Sequence, residues 1–130
     1  MKTRIICAGT FDLLHTGHIK YLKEAKKLAK NSELIVIVAR DDNSKRIKKK
    51  QTVHDENIRL KLISDLDFVD QAVLGFKSGK IIDRVVSLNP DIIALGHDQW
   101  AKEEWLNNEL KKQCLNVKIV RMKKFPKKYL

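Results

Sequence analysis

The amino-acid sequence predicts an α/β fold in which one five-stranded parallel sheet carries helices on both faces. Segments typical of strands and of helices alternate along the chain, which is the pattern of such sheets. The apolar run at residues 34–39 is continuous and rich in β-branched residues, as expected of a strand covered on both faces. The length of 130 residues, with 43% hydrophobic and 33% charged residues, fits one globular domain and excludes a disordered chain.

The first half of the chain predicts strand, helix, strand, helix, at residues 4–8, 18–30, 34–39 and 55–66. The first strand is a short apolar run that ends at Gly9. In the first helix, apolar residues recur at helical spacing with lysines between them. The second strand is the continuous run described above. The second helix begins at Asp55, a residue type that caps helix N-termini, and its buried face is predicted to consist of Ile58, Leu62, Ile63 and Leu66.

The second half predicts strand, helix, strand, helix, strand, at residues 71–74, 81–88, 91–96, 103–113 and 117–120. The third strand precedes Gly75, and the fourth ends at Gly96. The third helix is closed by Asn89 and Pro90, because proline cannot continue a helix. The whole pattern is that of a single-domain, Rossmann-like fold. Ligands of such folds bind beyond the carboxyl ends of the strands, which selects residues 9–18, 40–50, 75–80, 96–100 and those from 121 onward.

The chain is strongly basic, with 27 Lys and Arg residues against 16 Asp and Glu residues and a formal net charge of +11. A basic surface attracts polyanions, nucleotides among them. Lysines concentrate at residues 45–50 and 123–128, although solvated segments would explain these runs equally well. Cys7 and Cys114 match no metal or redox spacing and give no case for a disulfide, and Cys7 is expected to be a buried thiol. No apolar run is long enough for a membrane span or a signal peptide, so we expect a soluble, cytoplasmic protein.

Residues 9–18 carry the clearest functional signal. They read Gly-Thr-Phe-Asp-Leu-Leu-His-Thr-Gly-His, which places His15 and His18 at the start of the first helix. A helix N-terminus offers N–H groups and the positive end of the helix dipole, and both stabilise phosphates. The imidazoles would donate hydrogen bonds to phosphoryl oxygens or act as acids. Metal ligation by this pair alone is disfavoured, because the sequence shows no nearby third ligand.

The Gly-Thr-Phe-Asp prefix followed by His-x-Gly-His resembles the signature of the cytidylyltransferase-like nucleotidyltransferases. Residues 5–121 resemble archaeal FAD synthases and bacterial glycerol-3-phosphate cytidylyltransferases, and residues 39–41 and 90–99 resemble the FAD synthases in particular. The resemblance implies a nucleotidyltransferase domain over residues 1–122, followed by a basic tail over residues 123–130.

The resemblance implies a role for each matching residue. His15 and His18 would be catalytic, stabilising charge on the α-phosphate and on the pyrophosphate leaving group, and Lys48 or Lys49 would reach the phosphates. The nucleotide would be bound at the carboxyl ends of the strands by Gly9, Thr10, Phe11, Asp12, Gly17, Arg59, Gly96, Asp98 and Arg121. Asp12 would help to hold the metal only indirectly. A divalent ion, most simply Mg²⁺, would bridge the nucleotide phosphates, with no protein ligand assigned to it.

The implied reaction is transfer of a nucleotidyl group from ATP or CTP to a phosphorylated acceptor, with release of pyrophosphate, an EC 2.7.7 activity. FMN as acceptor, giving FAD, is the first expectation, and glycerol 3-phosphate with CTP is the second. A third is a non-catalytic module that binds nucleotide or nucleic acid, but aromatic residues make up only 6% of the chain and favour no RNA-binding sheet. We expect direct in-line displacement. No membrane partner is expected, and the helix faces allow a homodimer without requiring one.

The sequence departs from the family after Arg121. Family members usually continue into a Ser/Thr-rich turn that binds the triphosphate, whereas residues 122–130 here are rich in lysine. Three interpretations stay open at this stage: the chain is truncated, its phosphate site is incomplete, or the basic tail takes the place of the turn.

Overall fold

The computed structural model describes residues 2–41, 52–76, 81–97 and 102–125. Within these residues the strands are β1 (Thr3–Gly9), β2 (Ser32–Val38), β3 (Gln71–Leu74), β4 (Ile92–Leu95) and β5 (Lys118–Arg121). The helices are α1 (Thr16–Lys26), α2 (Glu56–Ser64), α3 (Ile81–Ser87) and α4 (Glu103–Lys112). Each of the nine predicted elements is confirmed. The predicted buried face of α2 is wrong in part, because Ile63 is buried but Ile58 and Leu62 are exposed, and Arg59 takes the other buried position. None of the described helices is long and apolar enough to cross a membrane.

The first helix differs most from its predicted bounds of 18–30. It begins two residues earlier because the side chain of His15 acts as its N-cap. It ends at Lys26, whose carbonyl accepts a hydrogen bond from the hydroxyl of Ser32 at 2.7 Å. That bond closes the end of the helix and turns the chain into β2.

The five strands form one sheet in the order β3-β2-β1-β4-β5, and every neighbouring pair is parallel. Gly9 is in register with Val38, and Val38 with Leu74, so β1, β2 and β3 finish at the same level. The chain fills the sheet on one side of β1 and then crosses over to add β4 on the other. This reversal confirms the predicted Rossmann-like fold and places the switch point, with its crevice, between β1 and β4.

Successive residues of the central strands feed two separate apolar layers. Ile5, Cys7 and Val36 pack with α1 and α2 on one face, while Ile6 and Ile35 pack with α3 and α4 on the other. Cys7 is a free, fully buried thiol, as predicted. Burial raises its pKa to about 12, against the smaller opposing effect of a hydrogen bond with Tyr21, so it stays protonated.

At the amino end of the sheet, where all five strands begin, carboxylates accept hydrogen bonds from backbone N–H groups. Asp91 accepts a hydrogen bond from the N–H of Arg4 at 2.8 Å, and Asp70 accepts one from the N–H of Leu34 at 2.7 Å. Asp70 also pairs with the ammonium group of Lys26 at 2.6 Å. Partial burial tends to raise the pKa of Asp70, but these hydrogen bonds outweigh it and lower that pKa below its ordinary value.

Candidate active site

The two histidines of the motif form the N-terminus of α1 and hold each other in place. The Nδ1 atom of His15 accepts a hydrogen bond from the N–H of His18, and the Nδ1 atom of His18 accepts one from the N–H of His15, both at 3.3 Å. The arrangement is a reciprocal capping box built from two imidazoles. Their rings stack with centroids 3.6 Å apart and planes 19° from parallel. The structure therefore brings the two predicted catalytic residues together.

This hydrogen-bonding pattern decides which ring nitrogen carries the proton. An Nδ1 atom that accepts from a backbone N–H cannot itself be protonated, so each neutral ring carries its proton on Nε2. Both rings are thus Nε2–H donors, at a helix end that attracts anions. The first turn of α1, all of which the structure describes, contains no acidic residue that would neutralise this end.

Phe11 supports His18 from within the core. Its ring is 4% exposed and meets the His18 ring edge to face, with centroids 5.3 Å apart. Its backbone has a φ of 53°, in the left-handed region that phenylalanine rarely adopts. A strained backbone is held this way only where its surroundings fix it, which is common at functional sites. The ring of Phe11 contacts His18. The predicted contact of Phe11 with nucleotide stays a prediction.

Asp12 ties the motif to the segment that precedes α2. Its two carboxylate oxygens accept hydrogen bonds from the N–H groups of Val53 and His54, both at 2.8 Å. Partial burial tends to raise the pKa of Asp12, but the two N–H bonds and the charge of Arg59 outweigh it and lower that pKa. The carboxylate therefore stays ionised and braces the loop. Its predicted indirect role in metal binding is untested.

Arg59 lies at the centre of a set of loops rather than on the surface of the site. Its side chain is fully buried. It donates to the carbonyls of Thr10 and Ala39, both at 2.8 Å, to the carbonyl of His54 at 3.0 Å, and to the Asp41 carboxylate at 2.6 Å. The segments after β1, after β2 and before α2 thus share one guanidinium. The observed geometry is that of a bracing residue, and direct nucleotide contact by Arg59 stays a prediction.

Three other arginines bind strand-end carbonyls at the carboxyl end of the sheet. Arg121, a predicted site residue, donates to the carbonyl of Gly96 at 2.7 Å and pairs with Glu103. Sequence reasoning assigned no role to the other two. Arg40 donates to Gly75 at 2.8 Å and pairs with Glu56, and Arg84 donates to Leu74 at 3.0 Å. The signal for Arg40 was its position directly after a buried strand, whereas Arg84 reads as an ordinary helix-surface residue.

The glycines of the predicted site lie where strands and helix begin or end. Gly9 finishes β1, Gly96 follows β4, and Gly17 is a buried residue in the first turn of α1. Lys48, Lys49 and Asp98 lie outside the described residues, as do the tail residues from 126 onward. In the part of the chain that the structure describes, no group of three His, Cys, Asp or Glu side chains could hold a metal ion.

Known proteins resemble this chain over most of its length. Residues 6–129 match the family model described as cytidylyltransferase-like. The chain belongs to this family. It is 49% identical to an FAD synthase of Korarchaeum cryptofilum over 96% of this chain and 84% of that one. It is 48% identical to an FAD synthase of Thermoplasma volcanium over 94% and 83% of the two chains.

A solved structure has the same fold. A protein of Thermoplasma volcanium, described as a lipopolysaccharide core biosynthesis protein, superposes with a TM-score of 0.89 at 46% identity. The match covers 97% of this chain and all of that one. The resemblance drawn from the His-x-Gly-His motif is confirmed, and the chain is a nucleotidyltransferase of the EC 2.7.7 type.

Proposed function

We propose that this protein is an FAD synthase, which transfers the adenylyl group of ATP to the phosphate of FMN and releases pyrophosphate. The observation that carries the proposal is the stacked His15–His18 pair, with both Nε2–H groups at the N-terminus of α1. Similarity to archaeal FAD synthases over nearly the whole chain supports FMN as the acceptor. ATP follows from the same similarity, because FAD contains adenine.

The site supports transfer by direct displacement. An FMN phosphate oxygen attacks the α-phosphorus of ATP and forms the new phosphorus–oxygen bond. The bond from that phosphorus to the bridging oxygen breaks, and pyrophosphate leaves with the electron pair. His15 and His18 donate hydrogen bonds to the phosphoryl oxygens on which negative charge builds up, and no proton has to move. The predicted Lys48 or Lys49 contact would add positive charge.

In this scheme, the phosphates of the nucleotide would hold the divalent ion. Mg²⁺ is commonly bound through substrate phosphates and one or two carboxylates, rather than by a protein cage. Asp12 is the carboxylate of the catalytic loop, but both its oxygens already accept N–H groups. Each oxygen keeps a second lone pair, but the carboxylate is oriented by the loop that it braces, so we expect Asp12 to contribute to metal binding only indirectly. When bound, the ion would neutralise charge on the phosphates.

Three further properties belong to this proposal. The nucleotidyltransferase domain spans residues 1–122, and residues 123–130 form a basic tail. The protein acts in the cytoplasm, which agrees with its two free cysteines, since that compartment keeps thiols reduced. It functions alone or as a homodimer, and gel filtration with light scattering distinguishes the two.

The test is a pyrophosphate-release assay with Mg²⁺, in which ATP or CTP is paired with FMN or glycerol 3-phosphate. The proposal expects release from ATP with FMN, and FAD as the product by chromatography. Riboflavin in place of FMN must give no release, because it lacks the attacking phosphate. His18→Ala should lower kcat at least 100-fold, since an oriented donor to the transition state is lost. Release only from CTP with glycerol 3-phosphate would overturn the proposal.

A further inference from the structure

Phe76 is an exposed aromatic residue at the carboxyl end of the sheet, and the reaction scheme leaves it unused. It follows β3 almost directly, and 39% of its surface is exposed. The other described phenylalanines, Phe11, Phe68 and Phe125, lie in or against the core. Core packing therefore does not account for an aromatic side chain at this position.

The Phe76 ring packs against Arg84, and the backbone that leads to it is held by hydrogen bonds. The guanidinium of Arg84 lies over the ring, with its Cζ atom 4.9 Å from the ring centroid. Arg84 is itself fixed by donating to the carbonyl of Leu74 at 3.0 Å, and the carbonyl of Gly75 is held by Arg40 at 2.8 Å. A planar ring fixed in this way is preorganised to stack against a second ring, at little further entropic cost.

The spacing between the segments that follow β1 and β3 suits the length of the acceptor. Gly9, Val38 and Leu74 are in register, so the segments after β1 and β3 leave the sheet at one level. They are separated by two strand spacings, roughly 10 Å. FMN carries its phosphate and its isoalloxazine ring at opposite ends of a five-carbon ribityl chain. With the FMN phosphate beside the α-phosphate that His15 and His18 hold, that chain would bring the flavin ring towards β3.

We propose that Phe76 is the platform on which the isoalloxazine ring of FMN stacks. This inference rests on the proposed function and deepens it, because it assigns the acceptor subsite. The flavin ring is flat and largely apolar. It covers the exposed part of the Phe76 side chain, while Arg84 keeps its contact with the Phe76 ring. Phe76 then selects for a planar aromatic acceptor over a small phosphate ester such as glycerol 3-phosphate.

Phe76→Leu tests the inference, because leucine keeps an apolar side chain but removes the aromatic face. We expect this variant to raise the Kd for FMN by titration calorimetry, and the KM for FMN, on the order of 10-fold. The KM for ATP and the far-ultraviolet circular dichroism should be unchanged. Riboflavin binding should weaken by the same factor, because the interaction involves the ring and not the phosphate. Phe76→Tyr should restore the affinity for FMN.

Phe68 provides the matched control. It lies before β3, at the opposite end of the same strand, and carries a cation over its ring as well, with Lys23 Nζ 5.6 Å from the centroid. Phe68→Leu should leave the affinity for FMN unchanged. Wild-type FAD synthesis together with an unaltered FMN affinity in Phe76→Leu would overturn the inference and leave the proposed function standing. A raised KM for ATP alone would also overturn it, whereas absence of FAD synthesis in the wild type would refute the proposed function itself.

Discussion

The two ends of the parallel sheet are closed by side chains of opposite charge. At the amino end, Asp91 and Asp70 accept backbone N–H groups of β1 and β2. At the carboxyl end, Arg59, Arg40 and Arg121 donate to backbone carbonyls that follow the strands. Parallel strands leave N–H groups unpaired at one end and carbonyls at the other, so acceptors fit the first and donors the second.

The comparison also shows which charges remain for a ligand. Each of these three arginines also pairs with a carboxylate, namely Asp41, Glu56 or Glu103. These guanidinium groups therefore brace the loops and add little net positive charge. Among the described residues, the two imidazoles and the N–H groups of α1 are therefore the first candidates for holding phosphates, and direct nucleotide contacts by Arg59 and Arg121 stay predictions.

The largest expected effect is the loss of the buried guanidinium at the carboxyl end. Arg59→Met leaves three carbonyls and a carboxylate without their donor, and we expect the free energy of unfolding to fall by about 3–5 kcal/mol. Arg4→Met at the amino end removes a half-exposed ion pair and one carbonyl contact, and should cost about 1 kcal/mol. Urea unfolding measures both. Equal losses would contradict the contrast between the two ends.

Substitutions of Asp12 and Asp70 distinguish a loss of stability from a loss of catalytic activity. Asp12→Asn and Asp70→Asn each remove a carboxylate that accepts N–H groups, and each should cost about 1–2 kcal/mol of stability. Only Asp12 braces the loop that carries the histidines. Asp12→Asn should therefore lower kcat/KM about 10-fold or more at temperatures where it is folded, while Asp70→Asn leaves kcat/KM near the wild-type value. A matching loss of activity in Asp70→Asn would show that the effect is general destabilisation.

Acid should destabilise both ends of the sheet. Burial is the largest single influence and raises the pKa values of Asp12, Asp41 and Asp70, but hydrogen bonds and neighbouring cations together outweigh it and lower all three. The unfolded chain therefore takes up protons at a higher pH than the folded protein. The resulting stabilisation is complete above about pH 4 and is lost as the pH falls further. Urea unfolding between pH 7 and pH 3 should show this fall, and Asp70→Asn should make it shallower.

The smallest expected effect concerns backbone strain away from the site. Cys114, just beyond the end of α4, has a φ of 59° and an exposed side chain. Cys114→Gly relieves the left-handed strain and should stabilise the protein by about 0.5–1 kcal/mol in thermal unfolding. The strain at Phe11, by contrast, accompanies packing against the ring of His18. A loss of stability in Cys114→Gly would show that the side chain contributes more than the strain costs.

The sequence was most informative where the signal was local. Asp55 caps α2 as predicted, accepting from the N–H of Ile58 at 2.9 Å. The start of α1 was misplaced because histidine is an unusual N-cap, and the capping box needs both imidazoles in their folded positions. Arg59 was selected as a site residue from the family resemblance. Its burial could not be predicted, because its partners are carbonyls from segments far apart in the sequence.

The sequence by itself determined the alternation of strands and helices, the Gly-Thr-Phe-Asp and His-x-Gly-His motif, and with it the family. These features depend on apolar spacing and on residues that are neighbours along the chain. Only the tertiary structure decided that the imidazoles stack with their protons on Nε2, that arginines brace the carboxyl end, and that Phe76 stands exposed beside Arg84. Each of these depends on groups that meet only when separate strands come into register, because the partners are set by the fold and not by sequence distance.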